Sequence, residues 1–528
     1  MADKASAVSP AGADTDPEIA PTTDPAPASR RRTWTLCVAC CSVLMVISSM
    51  VALNTALGDI AVATSANQTQ LTWIIDSYTL VLACLLLPAG AIGDRYGRRG
   101  ALLFGLAVFA LASIVPALST APTHIIAARA VAGAGAAFMM PATLSLITAS
   151  YPADERAKAV GIWAGICGCG AVVGMMGSGV LLHFWPWQSI FWAFAVAGLT
   201  LVVLTTTITS SRDPEAKPLD VAGAVVIATA VAALVYGILG APDRGWTHPV
   251  VLGGIAGGLI MAAAFAIIEL RARYPLLDVR LFLDRQFGTG AAAITVLFMV
   301  LFGFFYLAMQ LMQLVMGYSP IGIAFALTPL AVPLLILSPL SSWYLPRLGL
   351  RVVVFTGLGL LATGLLLMCQ VRVDSSYWAL AWPMLVISTG VGLFTAPTTS
   401  AIMTSVSDDK QGVASAVNDT TREVGAAIGI ALTGSLLAAG YTKHIGPAVA
   451  GFPVPVQDAA RGSLAGAVAA APHLGPASGQ LVTVARVAFL HAMQTSLVVL
   501  ASITAVAGVL IACWAPGRDR SHSAVTRR

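Results

Sequence analysis

Charge is what this 528-residue chain has least of: Asp, Glu, Lys and Arg together make up 10% of it, against about 25% in an ordinary soluble domain. Hydrophobic residues make up 57%, and mean hydropathy is +0.84, which excludes a water-soluble globular protein. No Gly-Lys dipeptide occurs, so the phosphate-binding GxxxxGK[ST] loop is absent and the chain contains no P-loop ATPase. HExxH and doubled CxxC signatures are missing too, and Ser, His and Asp are scattered without a nucleophile elbow. No enzyme, metal or cofactor is expected. Alternating strands of about 10 residues, the mark of an outer-membrane barrel, are also lacking. The net charge of +5 is too small to read as nucleic-acid affinity. Eight cysteines (Cys37, Cys40, Cys41, Cys84, Cys167, Cys169, Cys369 and Cys513) all lie in apolar runs. The CVACC run lacks the turn and second pair of a metal site, so these thiols read as small packing residues.

What the chain has is apolar runs. A membrane helix needs about 20 apolar residues to cross about 30 Å of hydrocarbon, and fourteen such runs fit between 35–57 and 490–514, among them 322–344 and 412–437. The fold class is therefore an all-α polytopic membrane protein. Residues 1–29 are rich in Ala, Pro, Asp, Thr and Ser without apolar periodicity. They read as a disordered cytoplasmic tail, closed by Arg30, Arg31 and Arg32. No signal-peptide cleavage site fits.

Basic residues set the orientation, because cytoplasmic loops carry excess Lys and Arg. Of the 29, the loops on one side hold 22 and the other side holds Arg244, Arg372, Lys443, Arg461 and Arg486. Arg129 and Arg422 fall inside spans. Fourteen spans with both termini cytoplasmic follow. The stretch 438–489, rich in Ala, Gly and Pro, is either a flexible external loop or partly helical.

The sharpest local signal is GAIGDRYGRRGAL, Gly90 to Leu102. Its glycines permit a tight turn and close helix approach, and Asp94 can cap the following helix or pair with arginines of that turn or of a neighbour. On spacing alone it is equally an ordinary basic loop. The pattern resembles the signature G-x-L-x-D-R-x-G-R-R/K-x-x-L of the major facilitator superfamily, with Gly90, Ile92, Asp94, Arg95, Gly97, Arg98, Arg99 and Leu102 in place. With fourteen spans, the chain resembles the QacA/EmrB-type drug:proton antiporters of that superfamily.

The resemblance extends over nearly the whole membrane region. IIAARAVAGAGAA, with Arg129, Gly133 and Gly135, looks like a second family motif, although Ala132 stands where Gln is usual. PLLDVRLF (275–282), QLVMGYSP (313–320) and GVASAVNDTTREVGAAIG (412–429) are similar as well. Two departures stand out. In the span-5 antiporter motif, Met175 replaces Pro and Ser178 replaces a Gly, leaving Gly170, Gly174, Gly177 and Gly179 as a small-residue packing face. Ser49 occupies the place of a span-1 Asp found in many relatives.

After a disordered cytoplasmic tail over 1–32, the resemblance implies a six-helix bundle over 33–208 and two inserted helices over 209–286. A second bundle follows over 287–514, with 438–489 external, and a cytoplasmic tail over 515–528.

Charges inside the membrane cost a few kcal/mol and default to function. Asp76 lies about five residues into span 2, roughly 8 Å from its outer end. It is either a solvated interfacial acid or a cavity-facing one that binds cations or protons. Asp419, Arg422 and Glu423 share span 13, the two acids on one face at i, i+4. They are either a proton-coupling group or an Arg422–Asp419 pair neutralised for packing. Asp76 and Glu423 match acidic positions of QacA-like exporters and are the coupling candidates; Arg129 resembles the family arginine linked to proton transfer, the alternative being a structural hydrogen-bond hub. The aromatics Trp73, Tyr78, Trp163, Trp185 and Trp187 read mostly as an interfacial belt. Phe304, Phe305, Tyr306, Met309 and Met312 are able to meet varied apolar ligands, though lipid-facing or core packing is the commoner fate.

The expected function is a proton-coupled exporter of amphipathic compounds, cationic ones among them, driven by the proton gradient. It would sit in the cytoplasmic (inner) membrane, its partners being small amphipathic substrates, protons and the lipid bilayer. The alternatives are a dedicated exporter of one lipid, peptide or self-made antibiotic, and a non-transporting membrane sensor or scaffold.

Overall fold

The computed structural model describes residues 25–66, 68–209, 219–407 and 410–517. Most of the expected N-terminal tail (1–24) and the C-terminal tail from 518 lie outside these. All regular structure among the described residues is helical. The long helices are α1 (Pro25–Ala52), α2 (Gln68–Tyr96), α3 (Arg98–Leu118), α4 (Pro122–Ser150), α5 (Ala153–Phe184), α6 (Gln188–Thr205), α7 (Val221–Leu239), α8 (Pro249–Arg271) and α9 (Arg285–Gln310). A broken α10 (Pro320–Ala326, Thr328–Leu337 and Ser341–Leu348) precedes α11 (Leu350–Met368), α12 (Tyr377–Thr404), α13 (Gln411–Ala448) and α14 (Ser478–Trp514). Thirteen helices among the described residues are long and apolar enough to cross a membrane, or fourteen with α10 counted as one bent span.

Two segments differ from expectation, and a third takes one of the two forms left open for it. Helix α1 starts at Pro25, inside the stretch read as disordered. The run 322–344 bends by 68° between Leu337 and Ser341, where Pro339 removes a backbone donor and crowds the preceding turn. The stretch 438–489 is mostly helical: α13 continues to Ala448, short helices cover Val454–Gly462 and Leu464–Ala470, and α14 begins at Ser478. Its alanines favour helix, and Val456, Ala460, Leu464 and Ala467 bury one face on a core shared with Tyr441, Ile445 and Leu481.

Helices α1–α6 pack chiefly on one another (α2 on α4, α3 on α4 and α6, α1 on α5), and so do α9–α14 (α9 on α13, α11 on α12 and α14, α13 on α14). Contacts between the two sets run through α2 and α4 against α13 and through α5 against α10 and α12. Helices α7 and α8 pair, and α7 wedges between α2 and α13. There Ala83, Val231, Val235, Ile238, Ala427 and Ala431 form one buried apolar cluster.

Candidate functional site

Two polar centres interrupt the apolar interior. The first is at the α2–α3 turn. Gly97 takes φ +112°, a conformation that side-chain-bearing residues rarely adopt, so α3 can leave α2 with no linker. The turn aims Asp94 across at α13. Its Oδ1 accepts from Arg98 Nε and from the Gly412 amide, each at 2.9 Å, and lies 2.9 Å from Arg98 Nη2 as an ion pair. Its Oδ2 accepts from the Val413 amide at 3.0 Å.

Asp94 therefore pairs within its turn and caps α13 rather than the following helix, where unsatisfied amides and the helix dipole favour an anion. The approach needs glycine on both sides: a Cβ on Gly90 would lie 2.5 Å from the Gly412 carbonyl oxygen, and one on Gly412 would lie 2.6 Å from Asp94 Oδ1. Arg95 and Arg99 stay partly exposed, Arg95 lying 5.2 Å over the Tyr96 ring.

The second centre is a mostly apolar cavity of about 280 Å³ between the two helix sets. Asp76 of α2 and Arg422 and Glu423 of α13 are its charged lining; Met175, Phe305 and Tyr306 supply apolar and aromatic surface. Asp76 is partly buried and Glu423 buried. The cavity thus brings together two sequence-predicted carboxylates 347 positions apart in the chain. Asp419 is fully buried just beyond it, its Oδ1 accepting from Asn418 Nδ2 at 3.1 Å.

The close Arg422–Asp419 ion pair weighed from sequence is not formed. Among the described residues the ion pairs within 4.0 Å are Arg32–Glu155 and Asp94–Arg98. The Arg422 guanidinium instead sits 4.9 Å over the Trp163 ring and 5.0 Å over Phe298, faces that attract a cation, and donates one long hydrogen bond from Nη2 to Thr399 Oγ1 at 3.5 Å.

Arg129 of α4 is buried and ties three helices together. It donates from Nε to the Ile74 carbonyl at 3.1 Å, from Nη1 to Ser49 Oγ at 2.8 Å and from Nη2 to the Ser49 carbonyl at 3.2 Å. Its guanidinium also lies 4.1 Å over the Tyr78 ring.

A family model described as Major Facilitator Superfamily matches residues 38–430. The chain belongs to the Major Facilitator Superfamily. It is a multi-pass membrane protein with the all-α facilitator fold. It is 32% identical over 432 residues to the multidrug resistance protein Stp of Mycobacterium tuberculosis, covering 81% of this chain and 80% of that protein. To the multidrug efflux pump LfrA of Mycolicibacterium smegmatis it is 32% identical over 484 residues, covering 91% and 96%. The human organic anion transporter MFSD10 shares the fold, with a TM-score of 0.57 at 15% identity over 91% of this chain and 99% of that one.

Within the facilitator fold, the altered span-5 motif packs two ways. A Cβ on Gly170 would meet Ile47 at 2.7 Å and one on Gly174 the Ser48 backbone at 2.7 Å, both on α1. Gly179 faces Ile321 of α10, while Gly177 faces open space and drops out of the packing face. Ser178 accepts a 2.8 Å hydrogen bond from Thr55, a contact that Gly could not make.

Several aromatics read as a belt are core residues instead: Tyr78 and Trp163 are fully buried and Trp187 nearly so. Phe304 and Met312 are buried, whereas Phe305, Tyr306 and Met309 line the cavity. Sequence reasoning missed Gly412 and Val413 as partners of Asp94, Trp163 as the seat of Arg422, and α7 as a cavity wall through Val235 and Leu239. Only the alanines at 427 and 431, small enough to admit a neighbouring helix, hinted at the last. No group of three or more His, Cys, Asp or Glu able to hold a metal occurs among the described residues.

Proposed function

We propose that this facilitator is a proton-coupled exporter of amphipathic compounds, cationic ones among them, working by alternating access between a bundle at 33–208 and one at 287–514. Of the two inserted helices in 209–286, α7 completes the cavity wall through Val235 and Leu239. The observation that carries the reading is the apolar cavity between the helix sets with Asp76 on one wall and Glu423 on the other. An apolar chamber accepts the body of an amphipathic molecule, while a carboxylate attracts its cationic end or holds a proton in its place. Competition between proton and substrate for the same acids couples the two flows. The multidrug names of Stp and LfrA support the same class of substrate.

In this reading Asp76 and Glu423 exchange protons for substrate, Asp419 and Arg422 tune that exchange, and Arg129 supports proton transfer. Gly90, Asp94, Arg95, Gly97, Arg98 and Arg99 form the latch that closes the cytoplasmic end, and Gly170, Gly174 and Gly179 let α5 pack closely. The chain sits in the cytoplasmic membrane with both termini in the cytoplasm, as the basic residues direct.

Substrate-dependent pH change in proteoliposomes, measured across a drug panel, tests this. Asp76→Asn and Glu423→Gln should each cut drug-driven proton release at least about tenfold, a change of about 1.4 kcal/mol in the coupled step. Release at the native rate in both variants would refute the coupling role.

A further inference from the structure

Helix α13 carries an unusual file of buried polar atoms that no protein group satisfies: Gln411 Oε1, Ser415 Oγ, Asn418 Oδ1, Asp419 Oδ2 and Arg422 Nε. All five residues are at most 2% exposed. Their spacing (i, i+4, i+7, i+8, i+11) puts them on one helix face. At about 1.5 Å per residue the file is roughly 16 Å long. One end opens on the cavity, which Arg422 and Glu423 line. The other reaches the first turn of α13, where Gly412 and Val413 hold Asp94.

Leaving one buried polar atom dry costs about 1–3 kcal/mol, so five in line do not fit a dry helix interface. Buried waters, each making about three hydrogen bonds, are the usual remedy for such groups. We propose that this face of α13 is a hydrated polar track that carries protons between the cavity carboxylates and the Asp94 end of the molecule. The proposal rests on the coupling reading above and adds the route, with Ser415 and Asn418 as its positioning residues.

The proton balance is simple. A protonated Glu423 gives its proton to a water, and that water passes one to Asp419 Oδ2. Asp419 then releases it to waters held by Asn418 Oδ1, Ser415 Oγ and Gln411 Oε1. Each O–H bond broken is replaced by one formed at the next oxygen, and neither Ser415 nor Asn418 gains charge.

Arg422, fixed over Trp163 and Phe298, opposes a free hydronium ion on this path. Asp419 meets that obstacle by carrying the proton as a neutral acid past the guanidinium. The other ionisable groups facing the track are Cys167 of α5, beside Arg422 and Asp419, and Tyr78 of α2, which faces Glu423 beneath Arg129. Asp94 and Arg98 stand at the far end.

The test uses the full chain in proteoliposomes with ethidium, a cationic amphipathic dye, as substrate. Two rates are read: uphill transport driven by a pH gradient, and dye counterflow at equal pH, which needs no net proton movement. Ser415→Ala should slow the uphill rate at least about tenfold, within the usual value of a positioned proton-transfer group, and leave counterflow near native. Ser415→Thr, which restores a hydroxyl, should recover the uphill rate. Asn418→Ala provides an independent variant with the same expected split.

Native uphill rates in both alanine variants, with Glu423→Gln inactive, would overturn the track and leave the coupling reading standing. Equal losses in counterflow and uphill transport would reveal a packing role and also overturn it. Native uphill transport in both Asp76→Asn and Glu423→Gln would remove the coupling reading itself.

Discussion

Arg129 is a buried charge whose anchors are all neutral. Three hydrogen bonds to Ile74 and Ser49, plus the face of Tyr78, hold it between α1, α2 and α4. Lysine cannot reproduce that planar fork. Arg129→Lys should lower stability in detergent by about 2–4 kcal/mol, since bonds to a charged donor are worth about 1.5–3 kcal/mol each, and should depress transport with it. Ser49→Ala removes one of these charge-assisted bonds and keeps the carbonyl contact, so a loss of about 1.5–3 kcal/mol with near-native transport is expected. Thermal unfolding and dye efflux, measured side by side, check both. Abolished transport in a stable Ser49→Ala protein would show that Ser49 performs the work of the missing acid. The sequence named Arg129, Asp419, Arg422 and Glu423 because charge in an apolar run is conspicuous. It could not reveal their partners. Helical spacing brings Asp419 near Arg422, but the guanidinium is claimed by rings of α5 and α9, and rings far away in the chain leave no local trace.

Among the elements, α7 alters the picture most. An inserted helix is naturally taken for a lipid-facing spacer, yet α7 lies between α2 and α13 and presents Val235 and Leu239 to the cavity. A tryptophan at 235 would occupy much of a chamber of about 280 Å³. Val235→Trp should therefore reshape the range of exported compounds, with the largest losing at least about tenfold relative to the smallest, since even one methylene in an apolar pocket is worth about 10–200-fold. Protons moved per molecule exported should stay the same, because no carboxylate is touched. Parallel efflux assays with dyes of graded size test this; uniform loss across the panel would reduce α7 to a structural strut. Apolar runs foretold the number of long helices, because hydrocarbon thickness fixes their length. They could not foretell the break at Pro339, which needs the chain to bend rather than merely to contain proline. Nor did they decide 438–489, where alanine is compatible with helix and with loop until a core is present to bury it.

At the scale of the whole molecule, the two helix sets meet at the Asp94 contact, the proposed latch, whose strength can be bounded. Asp94 accepts three hydrogen bonds, one from Arg98 within its own turn, reinforced by an ion-pair contact to Nη2, and two from amides of α13. Opening this end breaks the latter two, worth about 1.5–3 kcal/mol each because the acceptor is charged. The sum of about 3–6 kcal/mol is comparable with the roughly 5.5 kcal/mol that moves a two-state equilibrium from 1:99 to 99:1. A contact of that size suits the proposed latch: strong enough to hold one state, weak enough for substrate and protons to overcome. Gly412→Val should release it, because the added Cβ would lie 2.6 Å from both Asp94 Oδ1 and the Gly90 carbonyl oxygen. Spin labels at Tyr96 and Ser407, on opposite sides of the contact, should then report a longer distance in most molecules, whereas the native chain should hold the short one. Asp94→Asn, which keeps the shape but removes the charge, should give a smaller shift in the same direction. An unchanged distance distribution in both variants would mean that the α5 contacts with α10 and α12 hold this end shut, and that Asp94 serves folding rather than gating.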